Sequence, residues 1–133
     1  MTGEPVTAQM EKITDTISAE IEDAVEDSEE LVAEQTMERL KATSPRRSFK
    51  MKGRPSGKYA RGWRAKWEDG GWVVYNATDW QLTHLLNNGH DVVNRYGKTG
   101  ARVNGDDHIT NAEKYAIAEF PRQVLARISR GLK

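Results

Sequence analysis

The sequence predicts a small α+β fold with a long N-terminal helix, a small antiparallel sheet built on a β-hairpin, a short central helix and a C-terminal helix. Apolar residues recur at spacings of three and four near both ends of the chain, which is typical of amphipathic helices. Between them, a Trp-rich segment alternates with a period of two on one side of a Gly-Gly turn, as hairpin strands do. The 133 residues suit one domain with a single modest core.

Residues 6–42 form the first predicted helix. Its apolar stripe comprises Val6, Met10, Ile13, Ile17, Ile21 and Ala24. The stripe continues through Leu31 and Val32 and then moves round the helix. Two alternatives remain open here: one long helix changes its packing partner near Leu31, or the helix breaks near Asp27-Ser28, where the serine caps a second helix. Thr43-Ser44-Pro45 ends the helical region, because the residue before a proline avoids the α conformation.

An unbroken helix of this kind would be about 55 Å long, which exceeds what a domain of this size can cover. We therefore expect residues 1–43 to form an acidic arm or intersubunit wall, and residues 44–133 to form a single α+β domain. The predicted subunit interface comprises Ile13, Ile17, Ile21, Leu31 and Val32.

Charge is strongly segregated along the chain although the net charge is zero. Residues 1–40 hold 12 acids and two bases, residues 41–67 hold ten bases and no acid, and residues 68–133 hold eight of each. This pattern predicts a dipolar surface or pairing of one block with the other, within or between chains. The plainer alternative is two separate solvated faces.

Composition excludes several classes of protein. The chain has no cysteine, which rules out disulfide scaffolds, zinc ribbons and cysteine nucleophiles. Its apolar runs are all shorter than the roughly 18–20 residues of a membrane span. The first residues, Met1 to Pro5, lack the basic start and apolar stretch of a signal peptide. We therefore expect no membrane partner.

The middle of the chain predicts a hairpin followed by a short helix. Trp63, Ala65 and Trp67 share one face of a strand, and residues 72–75 return after the turn at 68–71. The following helix starts at Thr78 or Asp79 and ends at Asn88-Gly89. The predicted core comprises Trp63, Trp67, Trp72, Tyr75, Leu82, Leu85 and Leu86.

Residues 90–107 are rich in Gly and Asn and predict an extended loop, to which Arg102-Val103 could add a short strand. The last helix opens with the capping box Thr110-Asn111-Ala112-Glu113. It ends at Gly131, and Pro121 inside it predicts a kink.

The three histidines His84, His90 and His108 do not match common zinc-ligand spacings, and we expect them to order the Gly-rich loop by hydrogen bonding. Asp106-Asp107-His108-Ile109 resembles the start of an HNH nuclease motif. That ββα-metal site also needs a downstream Asn and a second His or Asn, and a capping box follows here instead. The nuclease is therefore the weakest of the functional alternatives, and the sequence predicts no metal and no cofactor.

A basic segment with neighbouring aromatic residues offers a second alternative, a nucleic-acid-binding module spanning residues 46–66. Residues 46–57 predict a mobile loop whose bases would contact nucleic acid or an acidic partner: Arg46, Arg47, Lys50, Lys52 and Arg54. Tyr59, Trp63 and Trp67 could stack on bases. Their alternation fits inward-facing core positions better.

Several blocks of this sequence resemble one phage family. Ser44-Pro45 and the run from Ser56 to Trp63 are similar to its "SP…TG-x-Y-A-x-x-W" segment. Further similar blocks are Val74-Tyr75-Asn76, Gln81 to His90, Arg102-Val103-x-Gly105 and His108-Ile109. The family is the gene-product-ten-like neck or tail-completion family of long-tailed phages and prophages of the lambdoid HK type. The similarity covers about residues 44–130, and Asn87 stands where members usually carry Glu.

The resemblance implies a non-enzymatic virion protein of the head–tail junction, assembled in the host cytoplasm. Such proteins are encoded between head-closure and tail-terminator genes and are thought to form rings. The implied partners are further copies of the chain, in a hexamer or dodecamer, the head-closure or adaptor protein, the tail-terminator or tail-tube protein, and genomic DNA in the lumen.

Overall fold

The computed structural model describes residues 6–46 and 57–131, and it confirms the α+β fold. In chain order its helices and strands are α1 (Val6–Thr43), α2 (Lys58–Arg61), β1 (Trp63–Glu68), β2 (Gly71–Asn76), α3 (Thr83–Asn88, preceded by a 3₁₀ turn at Trp80–Leu82), β3 (Gly89–Asn94), β4 (Gly97–Asn104) and α4 (His108–Gly131). The strands form two separate antiparallel hairpins, β1–β2 and β3–β4.

Helix α1 is continuous over 38 residues, which decides between the two alternatives. Neither glycine nor proline occurs in this span, so no residue breaks the backbone hydrogen bonds. Ser28 is fully buried in the helix face instead of capping a second helix. The helix ends where predicted, and the Ser44 amide donates to the Leu40 carbonyl at 2.9 Å.

The first hairpin has the predicted strands and a tight two-residue turn. Trp67 pairs with Trp72 beside the turn, and the turn residues Asp69 and Gly70 have positive φ values of 49° and 82°, as in a type I′ turn. The face of Trp63 packs on α1 and is buried. Trp67 at the hairpin tip is 55% exposed, so its predicted core position was wrong. Within β1, Trp63 is the residue that packs against the core residues Leu40 and Tyr59.

The other predicted core residues also differ in how far they are buried. Trp72, Tyr75 and Leu86 are half-buried, whereas Leu82 and Leu85 are exposed. The observed core is instead centred on Leu40, Tyr59, Trp63 and Ala112, with partly buried neighbours Met37, Val74, Leu86 and Ile109. It therefore includes residues from both sides of the predicted boundary at residue 43.

Residues 89–104 form a second hairpin where the sequence predicted an extended loop. Asp91 lies opposite Arg102, and its carboxylate is 3.5 Å from that guanidinium and 3.3 Å from the Lys98 ammonium. Strand β4 is exposed along its whole length. No buried face imposes apolar alternation on such a strand, so its sequence carries no period-two signal.

Helices α1 and α4 pack antiparallel. The Tyr115 hydroxyl donates to the Gln35 side-chain oxygen at 3.2 Å near one end. Farther along, the Arg127 guanidinium lies 3.8 Å from the Asp27 carboxylate. The face of α1 that this packing and the first hairpin cover comprises Ala24, Ser28, Val32, Ala33, Thr36 and Leu40.

The N-terminus of α4 is capped from outside its own segment. The helix begins at His108, two residues before the predicted capping box. The Ile109 and Thr110 amides donate to the Asn87 side-chain oxygen at 2.9 and 3.2 Å. Asn87 is buried at the end of α3, so it satisfies two free donors of the helix start and ties α3 to α4.

We predict that Asn87→Ala lowers the free energy of unfolding by about 1–2 kcal/mol, the usual range for loss of a helix cap. The measurement is urea unfolding followed by circular dichroism. Asn111→Ala, an exposed change in the first turn of the same helix, is the control. Equal stabilities of the two variants would contradict the capping role.

Candidate functional site

A buried polar cluster joins α1, α2, β1 and α4. The Tyr59 hydroxyl lies 2.6 Å from His108 Nε2. The Trp63 indole N–H donates to the Ser44 hydroxyl at 2.7 Å. The three rings of Tyr59, Trp63 and His108 meet edge to face, with centroids 5.5 to 6.4 Å apart. This cluster fixes the first residue of α4 against the end of α1.

Burial sets the protonation of the two central groups. It lowers the pKa of His108, and the nearby Asp106 carboxylate only partly offsets this effect. Burial, together with Asp106 and Asp79, raises the pKa of Tyr59 to about 12. The phenol is therefore neutral. His108 Nδ1 lies 3.4 Å from Asp106 Oδ1 without forming a hydrogen bond, and either ring tautomer can pair Nε2 with the tyrosine hydroxyl.

The three histidines differ in their burial and surroundings. The His108 side chain is fully buried, and the residue lies in the wall of a cavity of about 500 Å³ that Arg39 and Tyr115 also line. Within residues 6–46 and 57–131, no three His, Asp or Glu side chains are placed to hold a metal ion. His84 is exposed on α3, and His90 lies in β3 opposite Val103. His108 is thus the histidine that the structure ties into the interior.

The predicted nucleic-acid segment lies only partly within the described residues. Arg46 is exposed and donates to the Lys41 carbonyl at 3.2 Å. The other predicted contact bases lie outside the described residues: Arg47, Lys50, Lys52 and Arg54. The predicted mobile loop 46–57 lies almost entirely in that range. Tyr59 and Trp63 are buried, so neither ring can stack on nucleic acid.

The largest exposed apolar feature of α1 is its N-terminal half. Relative exposures fall from 70% at Val6 to 42% at Ile21. We call this set the bare stripe: Val6, Met10, Ile13, Ile17 and Ile21. It runs directly into the face of α1 that is buried from Ala24 onward. One winding apolar row is therefore covered over its C-terminal half and uncovered over its N-terminal half.

Helix α4, which covers the C-terminal half of the apolar row of α1, does not reach the N-terminal half. Gly131, the last described residue of α4, lies beside Glu20, because a Cβ built on it would be 4.0 Å from the Glu20 carboxylate. Residues 6–19 of α1 therefore extend about 21 Å beyond the end of α4. Of the predicted interface residues, Ile13, Ile17 and Ile21 are exposed. Leu31 is half-buried and Val32 is buried within the subunit, so Val32 packs inside its own chain.

An open apolar groove lies on the folded part of the molecule, with a volume of about 470 Å³. Val32, Ala33 and Thr36 of α1 line one side, and the other walls come from β2 and α4. We call it the hairpin groove; its remaining lining residues are Glu29, Gly71, Trp72, Val74, Ala116, Ile117 and Phe120. Sequence reasoning missed it, because its walls come from three segments far apart in the chain.

Comparisons with protein-family models, curated proteins and solved structures found no match to this chain. The resemblance to the phage neck family therefore stays a prediction. In the part of the chain that the structure describes, no helix is both long and apolar enough to cross a bilayer.

We predict that His108→Gln makes stability less sensitive to acid. In the wild type, the folded state disfavours protonated His108, whereas the unfolded histidine takes up a proton near its ordinary pKa of about 6.5. Stability should be complete above that pH and fall as pH drops below it through the lowered folded pKa. Glutamine can still accept from Tyr59 and does not titrate.

The measurement is the urea midpoint between about pH 7.5 and 5, with exposed His84→Gln as the control. We expect His84→Gln to follow the wild type and His108→Gln to lose less stability over this range. Parallel curves for wild type and His108→Gln would show that the buried imidazole does not govern the acid response.

Proposed function

We propose that this chain is a structural protein of the head–tail junction of a long-tailed phage. It forms a homo-oligomeric ring that connects the portal or head-closure complex to the tail, and it acts without catalysis. The single observation that carries the proposal is the bare stripe of α1, which continues a buried packing face and is exposed among the residues that the structure describes.

The free energy gained by burying apolar side chains favours a protein partner for the bare stripe. Burying one such side chain fully contributes about 1.5–3 kcal/mol, and five of them lie in one row. An isolated helix of about 12–15 residues is only marginally stable in water, and residues 6–19 have roughly this length. A partner that covers the stripe would therefore stabilise both the contact and the helix itself.

The residues that resemble the phage neck family lie in the interior of the fold. Its quoted residues Ser44, Tyr59, Trp63 and His108 belong to the buried polar cluster. The Asn76 amide donates to the Tyr59 carbonyl at 2.8 Å. The similar positions thus carry the scaffold of the fold, which suits a family whose members act as building blocks of a neck.

The expected partners follow from the resemblance. They are neighbouring copies in a hexamer or dodecamer, the head-closure or adaptor protein on one side and the tail-terminator or tail-tube protein on the other. Genomic DNA would pass through the lumen, and the virion is the site of action.

We predict that the purified chain forms a closed ring whose mass does not change between about 0.1 and 1 M salt, since apolar contacts survive the screening that weakens exposed ion pairs. Ile17→Asp should abolish the ring, because it places a charge in the centre of the bare stripe. Ala19→Asp, an exposed change on the opposite side of the helix, is the matched control and should assemble normally.

Sedimentation velocity gives the mass, and negative-stain imaging gives the shape. A wild-type chain that stays monomeric, or an Ile17→Asp ring identical to wild type, would contradict the proposal. A chain that stays monomeric yet binds duplex DNA with a steep salt dependence would favour the nucleic-acid-binding alternative instead.

A further inference from the structure

We propose that a pocket between the end of α1 and the start of α4 binds a small molecule through an anionic group, either a phosphate or a carboxylate. The pocket has a volume of about 500 Å³, which lies within the usual range of small-molecule sites. It is at the other end of α1 from the bare stripe and does not depend on the proposed function. We call it the polar pocket; its lining includes Arg39, Asp106, His108, Asn111, Lys114 and Tyr115.

Two basic side chains of the polar pocket have no acidic partner. Within residues 6–46 and 57–131, neither Arg39 nor Lys114 forms an ion pair with a carboxylate, and both are exposed. Asp106 is the one acidic residue in the lining that the structure describes. The start of α4 adds positive potential, because the dipole of a helix is positive at its N-terminus. The pocket therefore favours a bound anion.

The Arg39 guanidinium is positioned by an aromatic wall. Its central carbon lies 4.6 Å from the centroid of the Tyr115 ring, and the Tyr115 hydroxyl donates in turn to the Gln35 side-chain oxygen at 3.2 Å. In the described part of the chain, the Arg39 side chain donates no hydrogen bond, so its N–H groups retain their donor capacity. These groups form a planar fork that matches two oxygens of a phosphate or a carboxylate.

The wall of the polar pocket also contains a buried nitrogen without a hydrogen-bond partner. The His108 side chain is fully buried, and its Nδ1 is unpaired among the described residues. On the other side of the ring, Nε2 pairs with Tyr59, which does not line the pocket. Nδ1 instead lies 3.4 Å from the carboxylate of Asp106, which does. An unpaired buried polar atom costs free energy, and a ligand or water that hydrogen-bonds to it removes that cost.

The mixed polarity of the pocket defines the class of ligand. Arg39 and Lys114 attract a phosphate or a carboxylate, whereas Asp106 accepts a hydrogen bond from a hydroxyl or amino group. The Asn111 side chain can donate or accept. A lone ion would leave most of the volume empty, since one water occupies only about 30 Å³ in the liquid. The ligand is therefore a small organic molecule that combines one anionic group with a hydrogen-bond donor.

The test titrates the full chain with inorganic phosphate and, separately, with acetate, at constant pH and ionic strength. The ring signals of His108 and of exposed His84 are followed by NMR. We expect a saturable change at His108 and none at His84. Arg39→Gln and Lys114→Gln should each weaken binding about tenfold, as the loss of a hydrogen bond to a charged group does. A stronger response to phosphate identifies a phosphate-bearing ligand, and a stronger response to acetate identifies a carboxylate-bearing one.

Arg130→Gln is the matched control. It removes the same charge from the same helix, but Arg130 is exposed and does not line the polar pocket, so this variant should bind as wild type. Circular dichroism verifies that each variant retains the fold. A His108 signal that responds to neither anion, or to duplex DNA alone, would overturn the site, as would equal weakening by Arg130→Gln and Arg39→Gln. None of these changes touches the bare stripe, so ring assembly tests the proposed function separately.

Discussion

The apolar row along α1 is longer than the fold that covers it, and the other features of the molecule follow from this mismatch. From Ala24 to Leu40 the row is buried by α4 and the first hairpin, which supplies much of the subunit's small interior. From Val6 to Ile21 it is exposed. The C-terminal half of α1 thus packs inside its own subunit, and the N-terminal half presents an apolar surface of the same kind to the outside.

The buried polar cluster keeps the two halves of the fold in register. Tyr59 and His108 connect α2 to the start of α4, and Asn87 caps that same start from α3. These contacts fix the direction in which α4 runs back along α1 and thereby the point where its cover ends. They also fix the wall of the hairpin groove that α4 contributes. His108, which the sequence places in the weak nuclease alternative, lies within this buried contact.

Much of this architecture could be predicted from local sequence, and the rest depended on distant contacts. Helix α1, the β1–β2 hairpin and the end of α3 at Gly89 follow from periodicity, turn residues and caps. The β3–β4 hairpin could not be predicted, because exposed strands held by ion pairs at Asp91 lack apolar alternation. The Asn87 cap and the hairpin groove were missed because residues far apart in the chain create them.

Protection of an introduced thiol tests the central claim most directly, since the chain has no cysteine of its own. Ile13→Cys places one thiol in the bare stripe, and Ala19→Cys places one on the opposite, exposed side of α1. Each variant would be labelled with a water-soluble maleimide, and we predict that the assembled protein labels slowly at position 13 and rapidly at position 19. Equally rapid labelling at both positions in the assembled protein would contradict the account.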